Sequence, residues 1–347
     1  MLNPLGKYII SIREENNNEY IKYGYKLNEN LFITEEKYDI ILFDFKLKKK
    51  ILSIKFHNHL ITSLHICKKV LYIDKKESTF SNNSFFILSS SLDKRFALHN
   101  IYYNNLLFNY KLIAEHKPTR DEINGIIQIE NGQILVATRD QSLLLFSNKI
   151  TDGNFEILFE IKKDWPMQVS DPFEIKNNLI GVCWEYDDAE ADETYDDDTY
   201  ELNHSNDGLF FYLIDNNEIM EKKIFKNISI FPEKYFFILL ENKFILSYYN
   251  KGRKELGVFD SNNLEFIFKI RLDFSSYIYP FNKKHFILFY LKDNIAKINI
   301  YNINTMKMIQ NYEIETKETK PVLFHEYHLF PINTDEYAFK NLIFKIY

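Results

Sequence analysis

Short runs of four to eight residues, rich in Ile, Phe, Leu and Tyr, alternate with polar turns along nearly the whole chain. Within them one strand pattern recurs about every 40 to 65 residues. Its clearest copies are Ser91-Leu92-Asp93-Lys94-Arg95-Phe96-Ala97-Leu98-His99 and Thr138-Arg139-Asp140-Gln141-Ser142-Leu143-Leu144-Leu145-Phe146. Each places a hydroxyl residue two before an Asp and an aromatic ring six after it. Long segments with a 3.6-residue apolar period are absent, so the repeat is one of strands, and fixed-period strands mean a repeat architecture.

The third strand of each repeat is predicted at Tyr38–Phe45, Arg95–Ile101, Gln141–Ser147, Gly208–Asp215, Glu255–Asp260, Asn294–Tyr301 and Asn341–Tyr347. Four strands with their turns need roughly 40 residues. The reading is therefore a single all-β domain over residues 1–347, a seven-bladed β-propeller of four-stranded antiparallel blades. Two intervals are long because they hold insertions, at Lys75–Asn83 and Glu185–Asn206. The last repeat has strands near Val322–Phe330, Glu336–Lys340 and Asn341–Tyr347, and lacks a fourth. An extra strand, Lys7–Ile12, precedes the first repeat's own first strand at Tyr20–Leu27. The expectation is that this N-terminal strand completes the last blade and closes the ring, leaving no open sheet edge.

The 347 residues are 46% hydrophobic, with 31 Phe and 24 Tyr, so a large core built from strand formers is expected. Nine Gly are few for so many tight turns. Asn and Asp, which tolerate left-handed backbone, stand in for them at Asn28-Glu29-Asn30, Asn216-Asn217 and Asn262-Asn263. The two cysteines, Cys67 and Cys183, lie in apolar runs and read as buried thiols. Met1–Glu14 lacks the features of a signal peptide, and no run approaches a membrane span. The expected location is the cytoplasm or the nucleus, with no membrane partner.

These motifs resemble those of the WD40-repeat β-propellers. In that family a His before the first strand, a Ser or Thr in the second, an Asp in the following turn and a Trp in the third form a buried hydrogen-bond network. The resemblance assigns His59, Ser91 and Asp93 to that network in the second repeat, with His99 in the Trp position. In the third repeat it assigns His116, Thr138 and Asp140, with Phe146 in the Trp position. Phe43-Asp44 and Phe259-Asp260 look like degenerate copies of the terminal Trp-Asp pair, and Tyr301-Asn302 is a weaker one. Phe cannot donate the hydrogen bond that an indole donates, so the network is expected to be incomplete.

Little in the sequence points to chemistry. Ten carboxylates and no Lys or Arg fall between Glu185 and Glu201, in a chain whose net charge is −6. A run so charged repels itself, and residues 185–206 are expected to be a disordered insertion, with a basic protein as its candidate partner. Asp196-Asp197-Asp198 lacks the alternating ligands and central Gly of a calcium loop. His57-Asn58-His59 has no third ligand nearby. No hydrolase elbow, zincin, P-loop or dinucleotide fingerprint occurs, and no cofactor, metal or catalytic residue is expected. A pI near 5.9 argues against nucleic acid.

What the resemblance implies is a non-catalytic protein-interaction scaffold or adaptor subunit of a larger assembly. Trp165, Arg139, Arg95 and His116 are the expected partner-binding residues on one face, with Trp165 the anchor. The alternatives are an RNA-associated subunit, which needs a continuous basic face, and a propeller enzyme, which needs convergent polar groups at a central channel.

Overall fold

The computed structural model describes most of residues 7–315 and three short strands between 330 and 345. Residues 1–6, 14–18, 79–83, 118–121, 164–166, 187–207, 230–236, 273–276, 316–329 and 332–335, with shorter gaps, lie outside the described residues. Every regular element among the described residues is a β-strand. The chain divides into two compact units, Tyr25–Phe231 and a second made of Met1–Gly24 with Pro232–Tyr347.

In the first unit, four successive sheets follow the chain. The first holds Leu31–Glu36, Asp39–Asp44 and Lys49–Lys55. The second holds Ile61–Ile66, Ser84–Ser91, Phe96–Asn104 and Leu107–His116. The third holds Ile123–Gln128, Ile134–Thr138, Ser142–Thr151 and Asn154–Lys162. The fourth is built on Leu179–Tyr186, Gly208–Asp215 and Glu218–Lys226, with Met167–Val169 and Phe173–Lys176 both paired to the first of these. The other unit repeats the plan in Phe237–Leu240 to Phe266–Arg271 and again in Tyr277–Asn282 to Met308–Glu315, then ends on Phe330–Pro331, Glu336–Phe339 and Leu342–Lys345.

All seven expected third strands are present, each end within four residues of its predicted position. The N-terminal strand requires a correction. Lys7–Arg13 lies beside Glu19–Lys26, and the last sheet's order contains three strands, none of them N-terminal. The Lys7–Ile12 strand therefore does not complete the last sheet. Its own chain neighbour, reached after a five-residue connection (14–18), takes its hydrogen bonds first.

The core lies between sheets. One cluster joins the first and second sheets through Ile33, Leu42, Phe85 and Ile87. A second joins the second and third through Leu88, Phe96, Val136 and Phe146. A third joins the third and fourth through Leu135, Leu145, Val182 and Trp184. Each strand feeds two clusters because alternate residues face opposite ways: Phe85 and Ile87 to one side, Phe86 and Leu88 to the other. In the other unit Ile245, Val258, Phe286 and Leu288 pack in the same manner.

The described part of the Lys75–Asn83 insertion, up to Ser78, belongs to a hairpin. Leu71–Ile73 and Lys76–Ser78 form a hairpin whose first strand runs parallel to Lys149 and Ile150 of the third sheet. It is clasped there by Asp74, whose carboxylate accepts from the Asp152 N–H at 3.0 Å. Gln128 adds a second clasp, accepting from the N–H groups of Lys68 and Lys69 at 3.0 and 2.9 Å.

The turns explain the shortage of glycine. Asp74, Asn105, Asp152, Asn177, Asn178 and Asn217 all hold positive φ, as do Lys75, Lys94, Leu106, Leu264 and Met306. Asp44, Asp260 and Asn302, at the ends of the degenerate Trp-Asp-like pairs, cap the next turn. Asp44 accepts from Leu47 N–H, Asp260 from Asn262 and Asn263, and Asn302 from Asn304 and Thr305.

One regularity runs through all the described third–fourth strand pairs. The register slips by one residue beside Phe43, His99, Phe146, Tyr212, Phe259 and Tyr301. These are the aromatic positions of the repeat. The outermost strand bulges opposite each ring, which strengthens its twist and spoils it as a template for another strand.

Candidate functional site

The second sheet carries the most elaborate polar constellation among the described residues. The Ser84–Ser91 and Phe96–Asn104 strands are joined at the Asp93–Lys94 turn, with Ser89 opposite Ala97 and Ile87 opposite His99. Ser89 and His99 are thus diagonal neighbours on one face. His57, just ahead of the Ile61–Ile66 strand, lies beside them. Its Nδ1 is 3.0 Å from Asp93 Oδ2, and its Nε2 is 2.8 Å from Ser89 Oγ. Ser89 Oγ is in turn 2.9 Å from His99 Nε2.

One proton arrangement satisfies the chain with neutral rings. His57 Nδ1–H donates to Asp93, Ser89 Oγ–H donates to His57 Nε2, and His99 Nε2–H donates to Ser89 Oγ. His99 thereby supplies the donor that an indole would supply. The arrangement leaves His99 Nδ1 as a buried nitrogen with no hydrogen-bond partner. Burial holds the imidazole pKa of His99 down to about 3. Burial also lowers that of His57, against the opposing pull of Asp93. Asp93 is lowered although burial opposes it: Asn58 N–H, His57 and Arg95 stabilise its charged form.

Here the structure corrects two sequence assignments. The network histidine is His57, and His59 is exposed, offering its carbonyl to Ser91 Oγ at 3.1 Å. The network hydroxyl is Ser89, while Ser91 serves the turn by accepting from Asp93 N–H at 3.0 Å. Thr138 has the same local role, accepting from Ser142 N–H at 3.2 Å and donating to Ser142 C=O at 3.0 Å. The hydroxyl two before the Asp is therefore a turn device in both repeats.

Asp93 accepts from His57 Nδ1–H and Asn58 N–H. Asp140 and Trp165 lie outside the described residues. His116, at the end of the second sheet's Leu107–His116 strand, packs against the rings of Phe96 and of Phe146 in the third sheet, with centroids at 5.5 and 5.2 Å, and burial lowers its pKa. Arg95 donates to Asp93 and to the Phe56 carbonyl, at 3.0 and 3.1 Å, and its guanidinium covers the Phe56 ring. Arg139 pairs with Glu122 at 3.1 Å. The fourth sheet substitutes a different pair: the buried Trp184 donates its indole N–H to Tyr212 Oη at 3.0 Å. Sheets without such polar chains keep the ring packing. Phe259 stacks on Phe244 with centroids 4.7 Å apart, and Tyr301 stacks on Phe286 at 5.2 Å.

Of the acidic run, Glu185 and Tyr186 belong to the Leu179–Tyr186 strand, and the rest lies outside the described residues. Cys67 and Cys183 are both buried, and burial raises the Cys67 thiol. Among the described residues, no group of three His, Cys, Asp or Glu could hold a metal ion, and no helix is long and apolar enough to cross a membrane.

Asp93, His57 and Ser89 have the connectivity of a nucleophile, its base and an orienting carboxylate. The environment denies them that use. Ser89 is 0% exposed, and its proton and lone pair are both committed to imidazoles. The chain ties the loop ahead of the second sheet to the turn between two of its strands. Asn58 N–H adds to the tie by donating to Asp93 at 2.9 Å, and Leu92 N–H by donating to Leu60 C=O at 3.0 Å.

That loop and the turn at Tyr38, between the Leu31–Glu36 and Asp39–Asp44 strands, carry an exposed patch. Leu60 is 49% exposed, Tyr38 is 44% exposed, and the rings of Tyr38 and His59 lie 6.2 Å apart.

No family model matches the sequence, and no curated protein matches it. Among solved structures it is similar to the WD40 domain of SCAP from fission yeast, at 8% identity and a TM-score of 0.52. The likeness covers 89% of this chain and 79% of that one. At such identity it shows the fold alone, a WD40-like β-propeller. The His57–Ser89–His99 chain fits that fold with an imidazole in the Trp position.

Proposed function

We propose that the protein is a non-catalytic protein-interaction scaffold, a single domain over residues 1–347 whose seven repeats form one propeller. The observation that carries this reading is a contrast at one end of the second sheet. The reactive-looking polar groups there are sealed, while His59 and Leu60 stand exposed on a loop fixed from beneath, beside the exposed Tyr38 of a first-sheet turn. Exposed aromatic and aliphatic side chains on a rigid support anchor protein partners well, because little ordering remains to be done on binding. Proteins with WD40-type folds generally bind other proteins, and that analogy supports the class of function. Arg95 and Arg139, both partly exposed and held by carboxylates, supply the same kind of surface, with His116 and Trp165 as further contacts. The acidic run from Glu185 to Glu201 offers a second contact, to a basic partner. The working location is the cytoplasm or the nucleus.

Affinity purification with mass spectrometry tests the reading in three arms: wild type, Tyr38→Ala/Leu60→Asp, and a deletion of residues 187–206. Loss of a stoichiometric partner in the second arm supports the patch, and loss in the third supports the acidic contact. An identical partner list in all three arms overturns both.

A further inference from the structure

We propose that the Asp93–His57–Ser89–His99 chain is an acid-sensitive latch that holds the His57–Leu60 loop in place at neutral pH and releases it in mild acid. Its bearing on partner binding rests on the function proposed above; release of the loop does not.

The geometry leaves no comfortable site for a second imidazole proton. Both Nε2 atoms face one hydroxyl, at 2.8 and 2.9 Å. If His57 gains a proton at Nε2, both rings point N–H groups at Ser89 Oγ, whose own hydrogen then loses its acceptor. If His99 gains a proton at Nδ1, the new N–H sits buried at the atom that has no partner. An indole in place of His99 would not titrate at all, so the second proton site is peculiar to a chain with His in this position.

The groups surrounding the chain do not offset the added charge. Asp93 is already shared by His57 Nδ1, Asn58 N–H and Arg95, and the Arg95 guanidinium brings a positive charge to the same carboxylate. Glu115, on the Leu107–His116 strand, lies 4.0 Å from the other Arg95 nitrogen. His65, on the Ile61–Ile66 strand, pairs with Leu88 and so shares the face opposite Ser89. His116 lies against Phe96 and Phe146, on the side of the third sheet. Phe56, just after the Lys49–Lys55 strand, meets both imidazoles edge to face, with centroids at 4.8 and 5.2 Å, and the nearby Lys55 is exposed.

Both histidines are held below their ordinary value of 6.5 in the folded state. A base whose folded pKa is depressed binds fewer protons folded than open. The latch is therefore at full strength above pH 6.5 and weakens as pH falls below it. For each imidazole that takes its proton on opening, the opening equilibrium rises about thirtyfold between pH 7.5 and pH 5.

Amide hydrogen exchange on the whole chain tests this without any partner. Exchange of peptides covering 57–60 and 91–95, corrected for intrinsic pH dependence, is compared with residues 134–138 of the third sheet. Wild type is expected to lose at least thirtyfold more protection than the reference between pH 7.5 and pH 5. His99→Trp, and His99→Phe should the larger ring not be accommodated, are expected to lose at least tenfold less than wild type. Acid-independent protection in wild type, or an undiminished acid loss in both folded variants, would overturn the latch. Either result leaves the partner-binding test above unaffected.

Discussion

His57 and His99 share one hydroxyl: their Nε2 atoms lie 2.8 and 2.9 Å from Ser89 Oγ, one as acceptor and the other as donor. Removing that oxygen strands two buried imidazole nitrogens together. Ser89→Ala is expected to destabilise the protein by about 2–3 kcal/mol, because each unmet buried polar group costs about 1–3 kcal/mol. Ser91→Ala removes a local turn contact and is expected to cost about 1 kcal/mol. Urea unfolding of the two variants at pH 7.5 checks the order; a larger loss for Ser91→Ala would restore the hydroxyl that the sequence motif singles out.

The same oxygen decides whether the Asp93–His57–Ser89 constellation is chemical or structural. A fluorophosphonate probe is expected to leave Ser89 unmodified in the folded protein, since the residue is wholly buried. An adduct on Ser89, read by peptide mass spectrometry, would reopen the enzyme reading.

How much of this was legible depends on which forces were local. Strand positions such as Gly208–Asp215 could be read to the residue, because alternation and polar turns are written in adjacent residues. The choice of Ser89 over Ser91, and of His57 over His59, depends on how a loop from another part of the chain is placed along one face of the strand. Adjacent residues do not encode that. The pairing of Lys7–Arg13 failed for the same reason, since a missing fourth strand in the last repeat says what could pair there and not what does. The bulge beside Phe43, His99, Phe146, Tyr212, Phe259 and Tyr301 left a sequence trace in the aromatic spacing, but its position on the neighbouring strand emerges only from register.

Leu106 sits at φ 65, next to Asn105 at φ 50, in a hairpin turn that ordinarily takes Asn-Gly. It is 84% exposed, so little packing is lost when its side chain is removed. Leu106→Gly is expected to stabilise the protein by about 1 kcal/mol by relieving the left-handed strain. Thermal unfolding checks the sign; a lower Tm would mean that the leucine makes a contact worth more than its strain.

Glu174 accepts two backbone N–H bonds on one oxygen, from Glu130 at 2.9 Å and Asn178 at 3.0 Å, and burial raises its pKa above 4.5. A carboxyl with a raised folded pKa is best tolerated protonated. Its contribution is most favourable below pH 4.5 and is lost as pH rises through the folded value. Glu174→Gln keeps an acceptor for both bonds and removes the charge. It is expected to raise the Tm at pH 7 and to have little effect at pH 4, as a pair of melting curves at each pH would show. A lower Tm at pH 7 would mean that the charge itself strengthens the two bonds by more than its burial costs.

The central claim is that the protein works through an exposed patch formed by His59 and Leu60 of the latched loop with the neighbouring Tyr38. The most direct measurement is the dissociation constant of the recovered partner for wild type and for Tyr38→Ala/Leu60→Asp, at matched Tm. Interface anchors contribute about 1–2 kcal/mol each, so a weakening of at least tenfold is predicted. An unchanged dissociation constant in a variant of unchanged stability would contradict the account and move the binding surface elsewhere on the molecule.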